Sequence, residues 1–417
     1  MGKQRTKAPR GADQARLTPA KRLLYWLITL VLMAGLAELT AFAALALHAR
    51  VNGVSYQPLD DPALLTEDFR ARIAEMMEGR RAYVMHSPTL GWTLKPSSEA
   101  PPLYRANSQG LRADADYVLE PPPGVVRIAA FGDSYTHCDG VTNAETWEAR
   151  MEAARPGIEV LNFGVFAYGI DQAYLRFQEE GARFRPDIVL IGYMPENICR
   201  SVNTFRPFYT PHGPPYPKPR FTLDDGALHL VPQPYPDASG YAELLDDPVR
   251  ALRRLGRHDF YYQIGCVSGP FDWSPTVRAV KLIRAGWHTR RLGPFMADGT
   301  YNTASEAYRV TLALIEAFAR DVREAGAEPV VTILPSRDDL YRLRAGAPPM
   351  YAPLLDDLDA RDLPAINLLD AFDGTDDLDA LFLDHNHYTP RANAVVADAI
   401  LHGLEGLGLL RRGAAPR

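Results

Sequence analysis

From Leu23 to Leu47 the chain runs LLYWLITLVLMAGLAELTAFAALAL, 25 residues with Glu38 as the single charge. At about 1.5 Å per residue the run is about 37 Å long, enough to cross a hydrocarbon core of about 30 Å with some tilt. Beyond it the pattern changes. In Leu64–Arg81, Phe69, Ile73 and Met76/Met77 share one stripe, which predicts an amphipathic helix. After the Pro-rich stretch Glu120–Gly124, short apolar runs alternate with amphipathic ones. Val125–Phe131, Ile158–Phe163, Asp187–Tyr193, Pro329–Leu334 and Pro364–Leu368 are of the buried-strand type. Between and after them come helical segments at Ala144–Ala154 (capped by Asn143), Asp171–Phe184, Ser305–Ala325 and Arg391–Leu404. In the third of these Tyr308, Leu312, Ile315, Phe318 and Val322 form the stripe, and Gly326 ends it. Such alternation predicts an α/β domain with a parallel sheet covered by helices on both faces.

Two stretches break the rhythm. Residues 49–124 form a linker and a small N-terminal module, with turn-forming clusters at Gly91-Trp92, Pro96 and Asn107–Gly110. Residues 203–301 form an insertion after strand three, rich in Pro and aromatics, with a hairpin over Arg220–Val231 turning at Asp224-Asp225-Gly226. It falls on the side where open α/β sheets bind ligands, as either a lid or substrate wall or a structural decoration. The chain thus divides into a basic tail (1–22), a membrane anchor (23–48), the linker and module (49–124), the α/β domain with its insertion (125–410) and a C-terminal tail (411–417).

Composition narrows the class. With 417 residues, 47% hydrophobic and three Cys, the chain is neither a disulfide scaffold nor a disordered polymer. The net charge of -6 is divided unevenly. The first 22 residues carry Lys3, Arg5, Lys7, Arg10, Arg16, Lys21 and Arg22 against Asp13 alone, so the rest is strongly acidic. An acidic body argues against nucleic acid as a partner. The basic tail holds its end of the apolar run in the cytosol, with Tyr25 and Trp26 at the interface. The expectation is a single pass through the inner membrane and an extracytoplasmic, periplasmic body. The alternative is a signal peptide cleaved after Ala41-Phe42-Ala43; either way the body is exported. Glu38 costs about 2.5–3.5 kcal/mol if charged near the membrane centre, and is either a contact for a partner helix or a tolerated residue. In an oxidising compartment Cys138 and Cys199 form a bridge, or these two and Cys266 stay buried thiols.

The chemistry-bearing segments fall at strand ends. Phe131-Gly132-Asp133-Ser134-Tyr135-Thr136 follows the first strand, so Ser134 stands where a nucleophile is exposed at the crevice. A nucleophilic Ser needs a base, and the base needs a group that fixes its tautomer. Asp384-His385-Asn386-His387 precedes the last helix; Asp384 and His387, three apart, suit that pair, with His385 the competing imidazole. Donors for an oxyanion are sought in the Gly164 N–H after strand two and the Asn197 amide after strand three. Each also has an ordinary reading as a turn or cap residue.

Together FGDSYT, NFG and DHNH, in order along the sheet, resemble the SGNH hydrolases, the GDSL-type esterase family. The resemblance spans about Val125–Leu409, interrupted by the insertion. It departs after strand three, where the family's Gly-x-Asn-Asp is replaced by Gly192 and Asn197 five positions apart, with Glu196 between. The family implies a three-layer α/β/α, flavodoxin-like fold with a parallel five-stranded sheet. It implies two-step acyl transfer: Ser134 as nucleophile, His387 as base, Asp384 orienting it, the Ser134 and Gly164 N–H groups with Asn197 as oxyanion hole, and no cofactor or metal. The anchor and module look like envelope-facing members that modify polysaccharides. The expected function is therefore an esterase removing acetyl or similar groups from an envelope glycan. An O-acyltransferase using the same triad, a lipase, and a catalytically silent envelope scaffold are the alternatives.

Overall fold

The computed structural model describes residues 18–53, 55–210, 213–292, 295–372, 375 and 377–410. Most of the basic tail and residues 411–417 lie outside them. The chain forms two compact units, Met1–Gln57 with Ser268–Arg284, and Pro58–Val267 with Ala285–Arg417.

The first unit is built on α1 (Pro19–Asn52). Its ends follow from local chemistry. Thr18 accepts the Lys21 N–H, Pro19 sits at the first turn where a missing N–H costs nothing, and Gly53 closes the helix at φ 68°. None of its residues is buried, and it is long and apolar enough to cross a membrane.

The second unit holds the sheet, whose strands are β1 (Val126–Phe131), β2 (Ile158–Asn162), β3 (Ile188–Tyr193), β4 (Glu328–Ile333) and β5 (Ala365–Asn367). All neighbours are parallel, in the order β5-β4-β3-β1-β2. Because side chains alternate along a strand, each strand feeds two cores. Ile128, Ala130, Val160, Leu190 and Val330 pack on one face with Trp147 and Met151 of α4 (Trp147–Ala154) and with Val396 and Ile400 of the C-terminal helix. Ala129, Phe131, Leu161, Ile191 and Ile333 pack on the other with Ala173 of α5 (Ile170–Arg176) and Phe318 of the long helix Glu306–Glu324. This is the expected three-layer α/β/α arrangement with five parallel strands. Other elements used below are α2 (Glu67–Met77), α3 (Ser134–His137), α6 (Asn197–Arg200), α7 (Pro275–Leu292), α8 (Glu306–Glu324) and α9 (Pro390–Gly406).

Several boundaries differ from the sequence expectations for physical reasons. Asn143 does not cap α4. Thr142 and Glu145 form a capping box around a short 3-10 turn, and Thr146 caps α4 by accepting the Ala149 N–H. The expected helix 171–184 is α only to Arg176, then a π turn to Gly181 and a 3-10 turn to Phe184. The small module is not a separate body: Trp92 and Leu94 join the same cluster as Phe131, and the Trp92 indole donates to the Phe166 carbonyl. Within 203–301 the hairpin forms as expected, with Asp225 and Gly226 at φ 49° and 82°. The rest of that insertion is mostly short helices, and 268–284 belongs to the first unit. Cys138 and Cys199 are not bridged. The Cys138 thiol is turned inward, 3.5 Å from Glu148 Oε2 and 3.7 Å from Asn393 Oδ1.

Candidate active site

Ser134 follows β1 after two residues and opens α3, which Asp133 caps by accepting the Tyr135 N–H. Capping fixes Asp133, and with it the turn that carries Ser134. The Asp133 carboxylate is 1% exposed and is satisfied on its other oxygen by Arg200 Nη1 at 2.8 Å and Asn197 Nδ2 at 3.3 Å, both from α6. Arg200 also donates to the Tyr168 carbonyl, so one guanidinium ties the turn carrying Ser134 to the loop after β2. The Ser134 hydroxyl makes no hydrogen bond to a described residue. It lines a cleft of about 390 Å³ with Arg72, Asp139, Glu196, Arg206 and His387.

His387 comes to that cleft from the loop before α9. Leu383 N donates to the His387 carbonyl and Asn386 N to the Leu383 carbonyl, and Asn386 takes φ 64°, which closes the loop in one turn. The His387 ring lies 5.3 Å from the Tyr135 ring, centroid to centroid. Its Nδ1 is 3.0 Å from the His385 carbonyl oxygen and 2.8 Å from His385 Nδ1. A proton on Nδ1 satisfies that carbonyl, which leaves Nε2 with a lone pair. Burial lowers the His387 pKa below its ordinary value, opposed by the charges of Asp139 and Asp133.

Three expected members are placed differently. Asp384 is exposed and makes no hydrogen bond to His387; the tight turn at Asn386 gives His387 Nδ1 to the His385 backbone instead. The Gly164 N–H is donated to Asn162 Oδ1 at 2.9 Å, so it is not directed at Ser134. Gly164 is needed for another reason: a Cβ there would lie 2.2 Å from the His137 nitrogen, so only glycine lets this loop pack against α3. Asn197 is beside Ser134's turn, with one N–H on Asp133 and its Oδ1 without a partner. His385 also lines the cleft, with its Nδ1 2.8 Å from His387 Nδ1.

Two groups carried no signal in the sequence. Asp139 faces the cleft from the end of α3's loop, and its carboxylate accepts from His137 Nδ1 at 2.5 Å. His137 is fully buried, with Nε2 accepting from the Tyr83 hydroxyl at 3.0 Å. That pairing requires the proton on Nδ1, so the nearby Arg112 Nη1 donates to the Cys138 carbonyl, 3.2 Å away. Burial, with Arg112 beside it, pushes the His137 pKa down to about 4. A histidine neutral in the fold and ordinary when unfolded favours the unfolded chain as pH falls. Stability is therefore expected to be flat above pH 7 and to drop by about 3 kcal/mol between pH 6.5 and pH 4. Denaturant titration at the two ends checks this, and His137→Gln removes that part of the slope.

Among the described residues no group of His, Cys, Asp and Glu is arranged to hold a metal ion. No protein-family model and no curated protein matches the chain. Solved structures do align with it. One is a lipolytic protein of the G-D-S-L family from Desulfitobacterium hafniense, 10% identical over 67% of this chain and 99% of that one, with a TM-score of 0.33. Another is a lipase/acylhydrolase from Enterococcus faecalis, 13% identical over 70% and 100%, TM-score 0.34. A third is an acetyl xylan esterase, 10% identical over 67% and 100%, TM-score 0.34. Likeness at this level says nothing about the activity of this chain.

Proposed function

We propose that this protein is a serine-dependent ester hydrolase, anchored by α1 in the inner membrane with its body on the periplasmic side, that removes short acyl groups, acetyl above all, from a glycan. The observation that carries the reading is the meeting in one cleft of a Ser134 hydroxyl that no described residue bonds and a His387 ring whose Nδ1 lies 3.0 Å from the His385 carbonyl. Ser134 Oγ attacks the ester carbonyl while His387 Nε2 takes its proton. The bond to the leaving alcohol breaks as His387 returns that proton to it. Water, deprotonated by the same nitrogen, then releases the acid and restores Ser134. The Ser134 N–H and the second Asn197 N–H are the proposed oxyanion donors. The lining sets Arg72, Arg206, Glu196 and Asp139 beside the apolar Phe166, Ala167, Met194 and Pro214, so comparing acetyl with octanoyl esters separates a glycan carrier from a lipid chain.

The His385 carbonyl, not Asp384, orients the base in this reading. Asp384→Asn is expected to change turnover less than about tenfold, whereas His387→Ala costs about 10²–10⁴-fold. Hydrolysis of p-nitrophenyl acetate measures both, and equal losses would return Asp384 to the site. The base works unprotonated and its pKa is lowered, so kcat/KM is expected to fall only below pH 6.5 and stay level above it. An acid limb above pH 7 would contradict that assignment. Adding glycan acceptors to the assay separates hydrolysis from acyl transfer, because a transferase turns over faster with acceptor present. A scaffold shows no turnover in either case.

A further inference from the structure

The strongest unexplained feature is helix α7, which begins in the first unit and runs on past Arg284. Helix α7 carries Arg278, Lys281, Arg284, Arg290 and Arg291 and no acidic residue. Its apolar side is turned out rather than in. Val280, Ile283 and Trp287, spaced as one helical stripe, are all exposed, Ile283 at 72%, and Phe271 and Trp273 just before the helix are exposed as well, Trp273 at 75%. An apolar stripe flanked only by cations is the composition of a helix that lies in a membrane interface.

A second observation fixes the depth. Glu38, the one charge inside the apolar run of α1, accepts from Ser274 Oγ at 2.6 Å and from the Thr276 N–H at 3.1 Å. The start of α7 is therefore held by a carboxylate, the charge a helix N-terminus prefers, supplied by α1 itself. Glu38, Ala41, Leu45 and Ala49 are the half-buried positions of α1 and lie on one stripe. The same segment is tied again where Asp272 accepts from the Tyr56 hydroxyl at 3.0 Å and pairs with Lys281. From Leu23 to Glu38 α1 rises about 22 Å, against a hydrocarbon core of about 30 Å. With α1 upright the carboxylate stops about 8 Å short of the far boundary, within the roughly 5–10 Å to which interfacial helices sink, and tilt sets it somewhat deeper. The contact geometry and the composition of α7 arrive independently at the same level.

We propose that residues 271–290 are a second membrane-contacting element, an amphipathic helix lying in the outer boundary of the bilayer that α1 crosses, with its cations toward anionic lipid headgroups and its start docked on Glu38. This rests on the reading of α1 as a membrane anchor. It also gives Glu38 an occupation: the carboxylate is retained at that depth because Ser274 and the α7 backbone satisfy it.

The test uses the full chain in vesicles of an equal mixture of phosphatidylcholine and phosphatidylglycerol, brominated near the headgroup end of the acyl chains, with tryptophan emission as the readout. Trp92 and Trp147 are fully buried in the second unit, so Trp26, Trp273 and Trp287 report on lipid. In a Trp26→Phe chain, bromolipid is expected to quench emission, and adding Trp273→Phe and Trp287→Phe abolishes that quench. Glu38→Leu is expected to weaken it. If the Trp26→Phe chain is not quenched while Trp26 in the Trp273→Phe/Trp287→Phe chain is, the anchor stands and the second element is refuted, its apolar stripe then covered by protein. If neither is quenched, both fail.

Discussion

Ester turnover in Ser134→Ala falls by roughly 10⁶-fold, to what binding and the oxyanion donors alone supply. The size follows from the placement. Ser134 is held by the capped turn at Asp133, opens α3 and lines the cleft with His387, and no described residue bonds its hydroxyl. Removing the oxygen deletes the only atom that forms the acyl bond while leaving the cap, Arg200 and the cleft walls in place. The variant should therefore fold as the parent does, and its unfolding midpoint should be unchanged. Loss of turnover with an unchanged midpoint assigns the chemistry to Ser134; retained turnover of p-nitrophenyl acetate removes Ser134 from the mechanism.

Arg200→Met should cost about 3–5 kcal/mol of stability, because it leaves a buried carboxylate without its counter-charge. Arg200 and Asp133 are 4% and 1% exposed and 2.8 Å apart. Asn197 offers Asp133 only a longer bond at 3.3 Å. Turnover should fall as well, since Asp133 caps the turn that carries Ser134. The paired replacement Asp133→Asn with Arg200→Met should recover much of the stability by removing the stranded charge, while the Asn still caps α3. Chemical denaturation of the three proteins decides it. A single-variant loss under about 1 kcal/mol, the range of an exposed pair, or a double variant no better than the single, would show that the pair is not carrying the turn.

The layered sheet was legible because the central strands are buried on both faces and so appear as nearly continuous apolar runs. The long helices were legible from their stripes, as Tyr308 to Val322 shows. Short helices of the insertion, such as Pro248–Leu255 and Phe260–Ile264, were not, being too short for periodicity and held by tertiary packing. The site was half legible. Ser134 and His387 stand in segments whose position at the ends of elements is visible in the chain. Asp384 stands apart from His387 Nδ1 because Asn386 adopts a left-handed turn that brings His387 to a backbone carbonyl, which spacing alone does not reveal. Gly164 was assigned an N–H that Asn162 takes, and Asp139 and Arg200 carried no pattern, one a lone Asp in a loop and the other a lone Arg ending the four-residue helix α6. For Glu38 the sequence left open a partner helix or a tolerated residue; its carboxylate accepts from Ser274 Oγ, a contact between residues more than two hundred positions apart that no local pattern reveals.

The most direct test of the central claim is covalent. The full-length protein is treated with an alkyl fluorophosphonate, which bonds an activated serine, and the modified peptide is identified by mass spectrometry. Labelling confined to Ser134, and greatly slowed in His387→Ala, is the result expected of a serine activated by that histidine. Label on another residue, or none on folded protein that still turns over ester, would contradict it.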